Sequence, residues 1–331
     1  MSSLIVAFLL GYVIIPFMHK LKFGQTILDI GPSWHKNKQG TPTMGGFMFL
    51  ISVVLSVVVF TVAGGLVKDE AILVALNNEY RLVALLAGLG LALMMSLIGF
   101  MDDYIKVVKK RNLGLTAKQK TVLQLLVGAA YLTSMYLGGM HETWIPFIGM
   151  VPIDSGWGIL FWPIALIFIY GFTNAVNLTD GIDGLAASVT AVAAVFFLFF
   201  AMRYAQYELN AVMSAALLGG CLGFLIWNKH PAKVFMGDTG SMFLGGMVVA
   251  LSFMMERPIL LFFVGVLYLG EALSVALQVA HYKRTKKRLF KMSPIHHHFE
   301  MSGWSENKIV FVFSAVTLIG CLIATALYLF A

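Results

Sequence analysis

Hydrophobic residues along this chain come in long unbroken runs of about 20, separated by short polar stretches. At ~1.5 Å per helical residue, a run of that length matches a hydrocarbon core of ~30 Å. The runs are continuously apolar rather than alternating, which argues for helices and against a β-barrel. They predict ten spans, near residues 3–19, 44–66, 80–101, 120–140, 158–176, 184–202, 209–227, 240–256, 258–281 and 308–330. An even number of spans puts both termini on one side. His141 to Trp157, punctuated by Pro146, Gly149, Pro152 and Gly156, reads instead as a small hairpin on the membrane surface. The first run lacks a basic leader and a small-residue cleavage site, so a retained span is expected rather than a signal peptide.

Composition agrees with the pattern. Of 331 residues, 59% are hydrophobic and 12% charged, where a soluble domain carries about a quarter charged. The expectation is an all-α polytopic membrane protein forming a single domain over residues 1–331. Basic residues then orient it. All but Lys68, Arg81, Arg203 and Arg257 of the 23 lysines and arginines fall in the loops after odd-numbered spans. These include Lys20, Lys22, Lys36, Lys38, Lys106, Lys109, Lys110, Arg111, Lys118, Lys120, Lys229, Lys233 and the run from Lys283 to Lys291. That face is predicted to be cytoplasmic, with both termini periplasmic. The net charge of +7 suits anionic lipid head groups or an anionic substrate without choosing between them. Cys221 and Cys321 lie inside apolar runs and read as packing cysteines. No nucleic-acid partner is expected.

Candidate chemistry sits in the loops on the basic face. The segment from Asn177 to Leu185 is a polar island with Asp180, Asp183, Gly181 and Gly184 but no lysine or arginine. Bare carboxylates beside a bilayer call for a cationic partner, either a metal or a substrate. If a helix starts at Leu178, the two aspartates share a face, and capping of the next span is the plainer alternative. Asp102 and Asp103 end the third run, followed by Lys106. On a continuing helix their side chains point ~100° apart, so they should do different work. Glycines flank the turn Thr41-Pro42-Thr43, with Lys38 and Thr43 as possible phosphate donors, or the turn simply opens a helix with Thr43 as its N-cap. Asp238 and Ser241 stand where the eighth span begins, a place for anions or a metal-bridged phosphate, with Asp238 as a simple N-cap the plainer alternative. Phe235 is a candidate for stacking on a base or for anchoring at the interface. Three consecutive histidines, His296, His297 and His298, cannot all face one point on a helix. Phosphate contacts or acid–base help suit them better than a shared metal. Glu271 stands alone inside a span. Span number and Glu271 alone would also fit a transporter or lipid-binding scaffold. No internal repeat supports that, and the other carboxylates gather at loops.

These blocks together resemble the bacterial phospho-N-acetylmuramoyl-pentapeptide transferase family, of the polyprenyl-phosphate N-acetylhexosamine-1-phosphate transferase superfamily. Gly40 to Gly46, Asp102-Asp103, Asn177 to Leu185 and Gly237 to Ser241 carry the superfamily likeness. Pro294 to Glu300 looks like the block that separates this branch from the GlcNAc-1-phosphate transferases, the alternative activity. The resemblance implies transfer of phospho-MurNAc-pentapeptide from UDP-MurNAc-pentapeptide to undecaprenyl phosphate, giving lipid I and UMP, with Mg2+ required. It implies Asp238 as metal ligand, Asp102 as base toward the lipid phosphate, and Asp103 and Lys118 beside it. Asn177, Asp180, Asp183, Asn228 and Phe235 would shape the uridine and diphosphate pocket. Lys38, Thr43, Lys106, His296, His297 and His298 would complete the site. Membrane lipids as partners and a homodimer are implied as well. The island would then be a substrate cradle, with the metal at Asp238.

Overall fold

A computed structural model describes residues 1–20, 38, 40–109, 113–204 and 206–330. Lys22, Lys36, Lys110 and Arg111 lie outside the described residues. The long helices are α1 (Ser2–Lys20), α2 (Gly46–Leu66), α4 (Glu79–Val108), α5 (Ala117–Leu137), α6 (Phe161–Thr179), α7 (Leu185–Arg203), α8 (Glu208–Asn228), α9 (Gly237–Met254), α11 (Val266–Thr285) and α13 (Glu306–Phe330). Short helices α3 (Glu70–Asn77), α10 (Leu261–Val264) and α12 (Ile295–Glu300) fill connections. The predicted surface hairpin is present, with β1 (Glu142–Ile145) antiparallel to β2 (Gly149–Pro152).

Among the described residues, eight helices are long and apolar enough to cross a membrane, or nine with the broken pair Pro258–Val264 and Val266–Thr285, bent by 77°. The predicted fourth span corresponds to α5, which has 21 residues but is less apolar at its Lys118–Lys120 end. The bend falls at Gly265, where a Cβ would stand 2.7 Å from the Phe172 ring.

Helix α9 is the centre of the bundle. In its most apolar stretch 89% of residues are buried, against 28% for α1. A helix apolar on every side must be enclosed by others. Lipid tails are as apolar as leucine, so close packing rather than water expulsion draws such helices together. The glycines of α9 make that approach possible. A Cβ on Gly240 would lie 2.8 Å from the Gly46 Cα of α2, and one on Gly246 would lie 2.6 Å from the Ala92 Cα of α4. Outward residues such as Phe60, Phe199, Phe311 and Leu322 are exposed, as a lipid-facing belt requires.

Two boundaries differ from the sequence expectation, and both matter. Helix α4 continues past residue 101 to Val108, so Asp102, Asp103 and Lys106 ride on regular helix. No helix starts at Leu178. Helix α6 runs on to Thr179, and Asp180 to Gly184 form a turn that ends with Gly184 at φ 77°. Asp180 and Asp183 therefore do not share a helical face.

Candidate active site

Helices α4 and α9 cross where a Cβ on Gly99 would come within 2.2 Å of the Asp238 carbonyl oxygen. That crossing sets Asp102 and Asp103, just beyond Gly99, against the start of α9. The first amides of a helix lack internal partners, and the residue before α9, Met236, caps nothing with its side chain. Asp103 does so from α4. Its carboxylate accepts from the Asp238 amide (3.2 Å), the Thr239 amide (2.9 Å) and the Thr239 hydroxyl (2.7 Å). Gly237, at φ 71°, leaves room for this approach.

Asp102 points elsewhere, as adjacent helical residues must. Its carboxylate pairs with Lys106 at 2.6 Å and accepts from the Leu115 amide at 2.7 Å. Gly114 closes over it, with a Cβ there only 2.3 Å from Asp102 Oδ1. Lys106 also lies 3.2 Å from Asp238 Oδ2, and Lys120 lies 3.1 Å from the same oxygen. Asn177, near the end of α6, donates to Asp238 Oδ1 at 3.0 Å and to Ser241 Oγ at 2.7 Å. Asp238 is thus the hub of four elements.

Lys118, expected beside the acidic pair, is exposed and makes no ion pair among the described residues. Lys120 takes that place. Helix α5 starts with a capping box, in which Thr116 accepts from the Gln119 amide and Gln119 accepts from the Thr116 amide. That start fixes the helical phase, and two residues on a helix are ~200° apart. Only one of the two lysines can face α9.

Asp183 belongs to a second cluster. Lys38 stands 2.7 Å from both Asp183 and Glu306, and His230 Nδ1 is 3.0 Å from Asp183 and 3.4 Å from Glu306. Glu306 also accepts from the Asp183 amide at 2.9 Å. A cavity of about 590 Å³ opens beside this cluster, lined by Lys38, Asp183, His230, Trp304 and Glu306 among others. Asn228 joins the two loops, accepting from the Gly184 amide (3.0 Å) and donating to the Val234 carbonyl (2.8 Å). Phe235 is half-buried, and its backbone exchanges 2.8 Å bonds with Pro42 and Gly45. Those bonds bring Thr43 to Gly237, where a Cβ would meet Thr43 Oγ1 at 2.9 Å.

The histidines diverge. His296 is fully buried with Nδ1 3.0 Å from Glu271 Oε2, His297 Nδ1 pairs with Glu300 at 2.6 Å, and His298 accepts from the Lys291 amide at 3.2 Å. The sequence offers Lys118 and Lys120 alike as lysines placed to attract phosphate or anionic lipid, and it does not single out His230 or Glu306 as site residues. His230 stands in a loop that carries candidate chemistry. Glu306 had no signal beyond an acidic residue in the first turn of a helix.

Two places offer oxygen ligands to a cation. Around Asp238 the side chains are Asp102, Asp103, Asp180 and Asp238 against Lys106 and Lys120, an acidic excess. The Asp180 carboxylate has no hydrogen-bond or ion-pair partner among the described residues. Burial pushes its pKa well above the usual carboxylate range, and the carboxylates of Asp238, Asp103 and Asp183 add to the rise. An oxygen-only set with an unpaired carboxylate fits a hard ion such as Mg2+. At the second place the ligand atoms of Asp183, His230 and Glu306 lie within 4.8 Å of one another. That mixed N/O set suits a transition metal better, and Lys38 already supplies its cation.

Comparison with known proteins gives consistent results. A family model for glycosyl transferase family 4 matches residues 82–256, a range that takes in Asp102, Lys120, Asn177 and Asp238. A signature of phospho-N-acetylmuramoyl-pentapeptide-transferases matches residues 38–50, at Lys38 and the Thr41–Gly46 turn. A protein of that name from Acetivibrio thermocellus is 47% identical over 95% of this chain and 90% of its own length. One from Heliobacterium modesticaldum is 44% identical over 97% and 94%, and one from Listeria monocytogenes 42% over 99% and 98%.

Proposed function

The chain belongs to the phospho-N-acetylmuramoyl-pentapeptide-transferase family, and from that premise we propose its reaction and the roles of its residues. It transfers phospho-MurNAc-pentapeptide from UDP-MurNAc-pentapeptide to undecaprenyl phosphate, yielding lipid I and UMP, in the bacterial cytoplasmic membrane. A lipid phosphate oxygen forms a bond to the sugar-bearing phosphorus, and the bond to UMP breaks with its electrons leaving on UMP. Both partners are anionic, so positioning and charge neutralisation are the main tasks.

The observation that carries this reading is the convergence of Asp102, Lys106, Lys120 and Asn177 on Asp238 at the first turn of α9. Lys106 and Lys120 neutralise the diphosphate. Asp102, held in place by Lys106 and the Leu115 amide, faces the acceptor phosphate as its base. Asp103 fixes the start of α9 and hence the position of Asp238. Asp238, with Asp180 and Asn177 near it, would hold Mg2+, whose contribution when bound is charge neutralisation at the diphosphate. Lys38, Asp183, Asn228 and Phe235 form the nucleoside side of the cradle, with Thr43 at its rim. The three histidines border the sugar-phosphate end. Membrane lipids surround the bundle, and a homodimer follows from the same premise, testable by light scattering in detergent.

Purified protein in detergent should release UMP from UDP-MurNAc-pentapeptide only when polyprenyl phosphate and Mg2+ are both present, and chelation should stop it. Turnover of UDP-GlcNAc instead would move the chain to the sister activity. No UMP from folded protein with either donor would overturn the proposal.

A further inference from the structure

Glu271 lies in α11, within an otherwise apolar stretch, and is 0% exposed. An ionisable group at that depth persists only with strong compensation. Its Oε2 faces two donors of one residue, the His296 ring at Nδ1 (3.0 Å) and the His296 amide (3.5 Å). With Glu271 ionised, its Oε2 can only accept, and the 3.0 Å contact then places the ring proton on Nδ1.

The far side of the ring is unusual. His296 is also 0% exposed, yet its Nε2 has no hydrogen-bond partner among the described residues. Buried polar atoms are seldom left unpaired, and each that is calls for an explanation. The ring lies against the turn between α6 and α7, because a Cβ on Gly181 would come 2.1 Å from Nε2 and 2.5 Å from Cε1. Gly181 follows Asp180, the carboxylate left without a partner in the acidic centre. His297 and His298 spend their Nδ1 atoms on Glu300 and Lys291, so the three rings are not equivalent.

We propose that Glu271 is a positioning residue for His296. It holds the Nδ1–H tautomer and the ring plane so that Nε2 stays a bare acceptor beneath the Asp180–Gly181 turn, which must shift on binding for Nε2 to meet a proton donor of the bound sugar-phosphate substrate. This rests on the transferase reading of the site. A carboxylate behind a histidine fixes which nitrogen is available on the other side, a role distinct from stapling α12 to α11.

The test compares E271Q and E271L with the parent protein, and both again in an H296Q background. The Gln oxygen of E271Q can still accept from Nδ1, so its kcat should stay within a fewfold of the parent. E271L should lower kcat about tenfold or more with little change in KM for the nucleotide sugar. In the H296Q background E271L should have no further effect, since Glu271 acts through that ring. Side-chain 15N shifts of histidine-labelled protein, assigned by loss of the His296 signals in H296Q, should show Nδ1 protonated and Nε2 bare in the parent. Parental kcat in folded E271L, an undiminished effect of E271L in H296Q, or a parent with bare Nδ1 would each overturn the proposal. If E271L does not fold, E271D, which withdraws the oxygen by one methylene, takes its place. UMP release by the parent is measured first. If it is absent, the transferase reading fails, and the 15N shifts still decide whether Glu271 sets the tautomer.

Discussion

Asp103 and Asp238 bring charge to the same few ångströms for different reasons. Every contact of the Asp103 carboxylate described above is with the first turn of α9, whereas Asp238 meets two lysines and an asparagine brought to it by α4, α5 and α6. Removing the cap strands buried amides, which costs about 1–3 kcal/mol. D103A should therefore lower Tm and activity together, while D238A should abolish most activity, on the order of 100-fold or more, with little change in Tm. A differential thermal scan beside the UMP assay separates them, and equal Tm losses would remove the distinction. Asp180 gives a prediction in pH. Its raised pKa means the folded protein holds that proton more tightly than the unfolded chain. The associated stability is present below the ordinary carboxylate pKa of about 4 and is lost as pH rises through the folded value. Without substrate or Mg2+, D180N should melt higher than the parent at pH 8, and the gap should close as the pH is lowered. A gap that widens on acidification would contradict the assignment. These residues were legible to unequal degrees. Asp102-Asp103 and Asp238 stood out as carboxylates at the edges of apolar runs. Lys118 and Lys120 could not be told apart, because the phase of α5 against α9 is a packing outcome rather than a local one.

At the scale of elements, glycines decide how close α4 and α9 come. Gly99 and Gly90 are both on α4, yet a Cβ on Gly99 would strike the Asp238 carbonyl at 2.2 Å while one on Gly90 would meet nothing within 4 Å. G99A should push α4 away from the start of α9, pulling Asp103 off its amides, with loss of both Tm and UMP release. G90A should leave activity intact and hold or raise Tm, since alanine is favoured over glycine within a helix by up to about 1 kcal/mol. Equal behaviour of the two variants would show that the crossing does not govern the site. The existence of the long helices and of the hairpin β1–β2 was legible from hydrophobic runs and turn residues. The ends of α4 and α6 were not, because polar residues that normally stop an apolar run continue these helices where neighbouring loops supply their partners. The bend at Gly265 escaped for a related reason. Its run has no polar residue at that point, and only the packing of Phe172 marks the place.

For the molecule as a whole, chemistry and charge share one end of the bundle. The C-terminal ends of α4 and α6, the N-terminal end of α9 and the α11–α12 connection surround Asp238, the histidines and the second cluster around Asp183. The lysine-rich segments flank the same end, with Lys106, Lys120 and Lys38 reaching inward from them. The opposite end carries the hairpin, tied to the turn after α9 by a 2.9 Å bond from the Trp144 amide to the Glu256 carbonyl. A lipid phosphate keeps its chain in the hydrocarbon and its head at the interface, so a site at one end can serve a membrane acceptor and a soluble nucleotide at once. The positive-inside bias predicts that this end faces the cytoplasm. This orientation is open to direct test because both native cysteines, Cys221 and Cys321, are buried and should stay unlabelled. F147C, at an exposed hairpin position, should react with a membrane-impermeant maleimide in right-side-out vesicles and not in inside-out ones. K286C, in the basic loop after α11, should show the reverse. The inverted pattern would turn the bundle over and place the acidic centre on the side that lacks nucleotide sugars, which would end the proposed reaction as well as the topology.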